Sequence, residues 1–132
     1  MAIEVHLVTP EREVWTGRAT EVIARGVDGD VGILTGHAPM LIQLAIGPLH
    51  VQTEEGAWER AVVDGGFLHI STEEGATRVD VLATNAQLAD EIDVDVARRR
   101  ADELRSTADD DEDARRDLSR AEARIALVES SA

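Results

Sequence analysis

The chain has 132 residues, of which 43% are hydrophobic, and a formal net charge of −14. This length and composition suit one folded domain with a small appendage rather than a disordered chain. The absence of cysteine excludes disulfides, thiolate catalysis and cysteine-based zinc sites, and the acidity disfavours nucleic-acid partners, whose phosphates it would repel.

We expect no targeting signal in the first residues of this sequence. Residues 1–6 contain neither a basic cluster nor a hydrophobic block, and no apolar run approaches the ~20 residues that span a bilayer. We therefore expect a cytoplasmic chain with no direct insertion into a bilayer.

Apolar and polar residues alternate through much of residues 1–84, for example at Ile3, Val5 and Leu7. Turn signals interrupt this alternation at residues 27–30, 46–48, 54–56, 64–66 and 73–75. Such a pattern predicts a sandwich or barrel of many short antiparallel strands. The turn at residues 64–66 is predicted to close a hairpin, and His6 and His50 lie in the polar phase and are expected to face solvent.

Residues 29–41 combine three glycines, a proline and several aliphatic residues around His37. Glycine permits tight backbone turns and proline restricts the residue before it, so a short strand and an ordered loop are predicted. Two interpretations of the loop stay open. It is either a structural turn whose His37 caps a backbone group, or a rigid exposed loop that docks onto a partner.

After Asn85 the pattern becomes helical, and all glycines and prolines lie before residue 76. Two apolar faces with helical spacing follow, one of Val94, Ala97, Ala101 and Leu104 and one of Leu118, Ala121, Ile125 and Val128. Asp93 is the expected N-cap of the first helix, and residues 106–113 are the expected connector. The sequence therefore predicts an αα-hairpin, and its alanine-rich faces bury little area, so it could detach from its support.

The chain lacks the residue patterns of catalytic and metal sites. It contains no HxH or HExxH spacing, no lysine, and no phosphate-binding loop around Gly65. Catalytic residues, metal ligands and enzymatic activity of its own are therefore not expected. A hidden carboxylate site of Asp28 and Asp30 beside His37 is the remaining enzymatic alternative, and it lacks a nucleophile.

Four segments in the same order resemble the epsilon subunit family of bacterial F-type ATP synthases. Residues 29–41 resemble its GxxGILPGHAPLL segment, with Thr35 where proline is usual. The other three are residues 8–17, residues 63–70 with their GGF sequence, and residues 81–93 at the change from strand to helix. The resemblance thus covers nearly the whole chain.

The resemblance implies a mainly β, α+β fold, with a ten-stranded antiparallel β-sandwich at residues 1–86 and an αα-hairpin at residues 87–132. It implies a non-catalytic subunit of the central stalk, at the cytoplasmic face of the cell membrane. Its implied partners are the gamma subunit, the ring of c subunits and, through the helices, the alpha/beta catalytic head, where the hairpin would inhibit ATP hydrolysis. The alternative function is a β-sandwich scaffolding module of another assembly.

The resemblance also assigns roles to individual residues. Asp30 and His37 match positions that face the c-ring. Some relatives bind regulatory ATP through an IDxxRA motif and arginines of the second helix, which makes Asp93, Arg120 and Arg124 weak ATP candidates here. Val96 replaces the motif's arginine, so no cofactor is expected.

Arg116, Arg120 and Arg124 match the basic residues that contact the catalytic beta subunit in relatives. Their spacing of four residues places them on one side of a helix. Ordinary pairing within the helix, for example of Glu112 with Arg116, explains the same spacing equally well.

Overall fold

The computed structural model describes residues 2–130. The chain forms eight strands followed by two helices. The strands are β1 (Ile3–Val8), β2 (Glu13–Gly26), β3 (Gly29–Leu34), β4 (Met40–Thr53), β5 (Trp58–Asp64), β6 (Gly66–Glu73), β7 (Ala76–Ala83) and β8 (Ala86–Leu88). A short 3₁₀ helix (Ala89–Glu91) leads to α1 (Val94–Arg105) and α2 (Glu112–Glu129).

The strands form a sheet that closes on itself. Their order is β3-β2-β1-β7-β6-β4-β5-β8, and an additional pairing of β2 with β4 closes a ring of five strands. β3 extends this ring at one end of the order, and β5 and β8 extend it at the other. All strand pairs are antiparallel except β1 with β7, which is parallel. The predicted fold class, a β-sandwich or barrel with a helical hairpin, is confirmed.

The count of ten strands, which the resemblance implied, is wrong by two. β2 and β4 are each 14 residues long and change partners along their length. Residues 13–19 of β2 pair with β1 and residues 21–26 with β3. Residues 40–43 of β4 pair with β6 and residues 46–52 with β5. The turn predicted at residues 46–48 is therefore wrong, because these residues lie within a continuous strand.

The predicted hairpin at residues 64–66 is also wrong, because β5 and β6 are not neighbours. β5 pairs with β4 and β8, whereas β6 pairs with β4 and β7. The turn instead carries the chain across β4. Gly65 and Gly66 both have positive φ, and a Cβ on Gly66 would overlap the carbonyl oxygen of Leu82. Only glycine lets the backbone approach β7 so closely.

The core lies entirely within the strands. Alternate residues such as Ile3, Val5 and Leu7 point inward and are at most 2% exposed, as the period-two pattern predicted. The core is built from isoleucine, valine, leucine and alanine, and its last member along the chain is Ala86. The hairpin contributes no residue to it.

The hairpin packs on the outside of the strands. Asp93 caps α1, since its carboxylate accepts hydrogen bonds from the backbone N–H groups of Asp95 and Val96, as predicted. Asp111 caps α2 in the same way. α1 packs against α2, and α2 contacts β4 and β5. No helix among residues 2–130 is long and apolar enough to cross a membrane.

Candidate functional site

Three large apolar side chains are exposed on neighbouring strands, and together we call them the apolar face. Leu41 of β4, Phe67 of β6 and Leu82 of β7 are 65%, 47% and 55% exposed. Phe67 and Leu82 are directly opposite each other in the sheet. They are exposed because each lies in the outward phase of a strand whose inward residues fill the core. Exposed apolar residues grouped in this way mark an interaction surface.

A groove continues the apolar face toward β1. Its volume is about 470 Å³, and it is lined by Val8, Pro10, Phe67 and Leu82 among others. Val8 is the cross-strand partner of Leu82, which makes the groove and the face one continuous surface. α2 packs instead over β5 and the second half of β4, so the hairpin leaves this surface open.

The two residues predicted to face the c-ring lie near opposite ends of β3. Asp30 is at its start and His37 follows its end, so the length of the strand, roughly 15 Å at about 3.3 Å per residue, separates them. β3 is the first strand in the sheet order. A partner that contacts both residues must therefore extend along β3. Asp28, Asp30 and His37 do not converge, which leaves the enzymatic alternative without a site.

Asp30 is already paired within the chain. The Arg25 Nε–H donates to Asp30 Oδ1 over 3.0 Å, and both side chains are more than 45% exposed. An arginine of a partner would have to share this carboxylate with Arg25.

The loop that carries His37 is ordered by hydrogen bonds to the strands behind it. Gly36 N–H donates to the buried Thr77 hydroxyl over 2.8 Å, and the Thr72 hydroxyl donates to the His37 carbonyl over 3.2 Å. The His37 ring contacts the Ala38 carbonyl with its Nδ1, at 2.8 Å. The loop is thus a fixed turn whose His37 ring contacts a backbone carbonyl, as the structural interpretation predicted, and docking of this loop onto a partner stays a prediction.

An ion pair joins the hairpin to the strands. Asp64, at the end of β5, contacts the Arg120 Nε of α2 through its carboxylate. The Asp64 side chain is only 12% exposed and the Arg120 side chain 28%. Arg60 of β5 adds a hydrogen bond from its Nη1 to the Leu127 carbonyl, over 3.3 Å.

A second ion pair fixes the linker between strand and helix. Arg12, in the turn between β1 and β2, donates from Nη2 to Glu91 Oε1 over 2.8 Å. The same carboxylate oxygen accepts the Leu88 N–H over 2.9 Å. The hydrogen bond from Arg12, followed by that from Leu88, lowers the pKa of Glu91 below its ordinary value. Glu91 is therefore charged and bound at neutral pH.

The three arginines predicted to contact the beta subunit differ in exposure. Arg116 is exposed, whereas Arg120 and Arg124 are partly buried against the strands. Arg120 and Arg124 share a narrow crevice with Asp64 and Gln87. No ion pair joins Glu112 to Arg116, both of which the structure describes, so pairing within the helix does not account for Arg116.

The weak ATP candidates do not form one site. The Asp93 carboxylate is occupied as the α1 cap, and Arg120 is paired with Asp64. Arg124 lines an open cavity of about 530 Å³, where the carboxylates of Glu11 and Glu91 balance the charges of Arg12 and Arg124. The residues present do not fit a triphosphate, which needs an excess of donors and cations.

His50 is less exposed to solvent than its place among the polar residues of the alternating pattern predicted. It lines the cleft between β4 and α2, and its ring meets Trp58 edge-on with centroids 6.4 Å apart. Burial in the cleft, followed by the nearby charges of Arg60 and Arg25, lowers the pKa of His50. The sequence could not show this, because α2 covers the outer face of the strand.

Asp64, Arg60 and His50 are the functional candidates that the sequence did not identify. Asp64 carried only a turn signal, and its partner lies far along the chain. Within residues 2–130 no group of three or more histidine and acidic side chains is arranged to hold a metal.

Comparisons with known proteins agree with this architecture. Residues 2–89 match the family model of the beta-sandwich domain of the ATP synthase delta/epsilon chain. The chain is 43% identical over 111 residues to the ATP synthase epsilon chain of Streptomyces griseus subsp. griseus, which covers 83% of this chain and 86% of that one. It is 41% identical over 123 residues to the epsilon chain of Thermobifida fusca, over 92% of this chain and 88% of that one.

A solved structure resembles both the strands and the helices. It is a chain in the mitochondrial ATP synthase of Euglena gracilis, from a structure of OSCP, F1 and the c-ring in rotational state 1. The TM-score is 0.81 and the sequence identity 25%, over 96% of this chain and 81% of that chain. The similarity therefore extends beyond the residues that the family model matches.

Proposed function

The chain belongs to the ATP synthase delta/epsilon chain family, and from this premise we propose that it links the gamma subunit to the c-ring and that its hairpin inhibits ATP hydrolysis. It is a non-catalytic central-stalk subunit of the ATP synthase, peripheral in a membrane-associated complex. The family excludes the alternative of a scaffolding module in another assembly. We place the subunit at the cytoplasmic face of the membrane.

The observation that carries the proposal is the apolar face with its adjoining groove. Leu41, Phe67 and Leu82 are about half exposed or more, and the hairpin leaves them uncovered. Burying such side chains contributes roughly 25 cal/mol per Å² of apolar area, which is enough for a permanent contact when the patch is large. We assign this face to the gamma subunit, because a stalk that transmits torque needs its firmest contact on the shaft.

The edge along β3 is the proposed contact with the c-ring. Asp30 and His37 lie along it, on a strand at the end of the sheet order. Asp30 is exposed and shared with Arg25, and an exposed ion pair contributes only ~0.2–1 kcal/mol. This contact would set the orientation of the subunit on the ring, while the apolar face supplies the affinity.

The hairpin is the element proposed to inhibit ATP hydrolysis, and we call this role the brake. Its buried side chains lie outside the core cluster, so it can leave the strands without opening the core. Once released, it would expose Arg120 and Arg124 in addition to Arg116. Three arginines on one helix would then be free to contact an acidic surface of the catalytic beta subunit.

Binding of the purified chain to a gamma–c-ring subcomplex tests the two contacts. Leu82→Asp places a charge in the apolar face and should weaken binding at least tenfold, because a buried unpaired carboxylate is costly. Val96→Asp is the matched control, since Val96 is 50% exposed on α1, away from the face. Equal binding by both variants would refute the assignment.

The same assay tests the edge along β3. Asp30→Asn should weaken binding about two- to fivefold, in line with one exposed charge pair. Asp28→Asn removes a neighbouring exposed charge and should leave binding unchanged. If the two variants bind alike, Asp30 has no specific partner on the ring.

A further inference from the structure

Four alternating charges connect the hairpin to the strands in one chain of contacts. Arg100 of α1 lies 3.5 Å from Asp117 of α2, measured from Nη2 to Oδ2. Asp117 Oδ1 in turn accepts a hydrogen bond from the Arg120 Nη1, over 2.6 Å. Arg120 contacts Asp64 of β5 through its Nε. Both helices are thus tied to one carboxylate of the eight strands β1 to β8, which together we call the β body.

Asp64 is a rigid acceptor for this chain of charges. It is the last residue of β5, and its backbone N–H donates to the Asn85 carbonyl over 2.8 Å. The next residue, Gly65, has a φ of +67° that holds the chain in a sharp turn. The carboxylate therefore cannot follow α2 if the helix moves away.

The apolar contact that accompanies this ion pair is small. The fully buried side chains of α2 are Ala114, Ala121 and Leu127, two of which are alanines, and its branched Leu118, Ile125 and Val128 are only half-buried. A methyl group buries much less area than a branched aliphatic side chain, so packing alone holds α2 weakly. Among the ion pairs of residues 2–130, that of Asp64 with Arg120 is the one that joins a strand to α2.

We propose that Asp64 is the latch that keeps the hairpin docked, and that it does so by sequestering Arg120 from the catalytic head. This inference rests on the proposed function of the hairpin as a brake. The docked and inhibitory positions of α2 compete for the same guanidinium, because Arg120 cannot contact Asp64 and a distant subunit together. The strength of the Asp64 contact thus sets the fraction of hairpins that are free to inhibit.

Substitution of Asp64 separates the latch from the brake. Asp64→Asn keeps the size of the side chain and leaves Arg120 intact, but it removes the charge that Arg120 faces. The guanidinium is then partly buried without that partner, which destabilises the docked state and not the released one. Asp102→Asn is the matched control, because it removes a carboxylate of an ion pair at the exposed surface of α1.

The latch can be tested in the full-length chain on its own. The chain has no cysteine, so Glu55→Cys and Glu122→Cys introduce a single pair of labelling sites, one on the body and one on α2. We expect energy transfer between dyes on these sites to show an increase of about tenfold or more in the ratio of released to docked hairpins with Asp64→Asn. Asp102→Asn should match the unsubstituted chain. An unchanged distance distribution with Asp64→Asn would overturn the proposal.

ATP hydrolysis by the assembled complex distinguishes failure of the latch from failure of the brake. Asp64→Asn should lower hydrolysis severalfold in the full chain. The same substitution should have no effect in a chain that ends at Ala89, because that chain has no hairpin. If Asp64→Asn releases the hairpin but hydrolysis is unaffected by either change, the brake is wrong and the latch stands. If truncation raises hydrolysis and Asp64→Asn leaves both hydrolysis and hairpin position unchanged, the latch is wrong and the brake stands.

Discussion

His50 is a side chain whose protonation is coupled to the packing of the hairpin. It is a residue of β4 and lines the cleft with α2. Burial there, followed by the charges of Arg60 and Arg25, lowers its pKa, and the charge of Asp30 raises it by a smaller amount. A lowered pKa in the folded state means that the unfolded chain binds the proton more tightly. His50 therefore has no effect on stability above its unfolded pKa of ~6.5 and decreases stability as the pH falls through that value.

Because its pKa is lowered in the folded state, His50 should make the chain less stable as the pH falls. Between pH 7.5 and pH 5.5 the urea midpoint should fall further for the unsubstituted chain than for His50→Gln. Glu91 also loses stabilising charge on acidification, but its lowered pKa places that loss at lower pH and in both proteins alike. His69→Gln, on an exposed position of β6, is the matched control. If the urea midpoints of the two histidine variants fall equally, burial of His50 has no energetic consequence.

Individual residues differ in how far the sequence could predict their roles. Asp93 was predicted correctly as a cap because capping is local, and a short acceptor before an apolar run suffices. Asp64 was not predicted as an ion-pair partner, because only the folded chain brings it to Arg120. The roles of Asp30 and His37 at the c-ring remain predictions.

At the level of elements, α2 has two groups of arginines with different exposure. Arg120 and Arg124 lie against the strands, and Arg116 faces solvent. A substitution of Arg120 would release the hairpin and weaken the inhibitory contact at once, so its two effects on hydrolysis oppose each other. Among residues 2–130 no hydrogen bond or ion pair joins Arg116 to a strand, so this arginine offers a cleaner test of the brake.

Arg116→Ala should raise ATP hydrolysis by the assembled complex about two- to fivefold, since it would remove one charge pair of the proposed contact with the beta subunit. Energy transfer between hairpin and body should stay unchanged. Arg99→Ala, an exposed arginine of α1, is the matched control and should leave hydrolysis unchanged. Equal hydrolysis by both variants would remove Arg116 from the inhibitory contact.

The elements that the sequence predicted best are those whose pattern is repeated locally. The alternation in β1, β4 and β7 and the helical spacing after Asn85 both correspond to observed elements. Residues 46–48 have the composition of a turn, yet β4 continues through them because β5 pairs alongside. Tertiary pairing outweighed local propensity there.

At the scale of the molecule, closure of the sheet could not be predicted from local pattern. The pairing of β2 with β4 and the parallel pairing of β1 with β7 join segments distant in sequence. The resemblance to a family supplied the arrangement of body and hairpin, and the comparisons confirmed the family. The roles proposed for the apolar face, the edge along β3 and the hairpin rest on the side chains that each of them leaves exposed.

The core ends at Ala86, so the body can be separated from the hairpin without loss of core residues. Leu88 packs against the core, and a chain that ends at Ala89 retains it. Such a chain should still bind the stalk through the apolar face, but it would have no brake.

We propose that a rigid β body holds the stalk while a detachable helical hairpin restrains ATP hydrolysis. The most direct test of this proposal is the rate of ATP hydrolysis by the assembled synthase containing either the full chain or the chain that ends at Ala89. We expect the shortened chain to assemble normally and hydrolysis to rise severalfold. Normal assembly with an unchanged rate of hydrolysis would contradict the proposal.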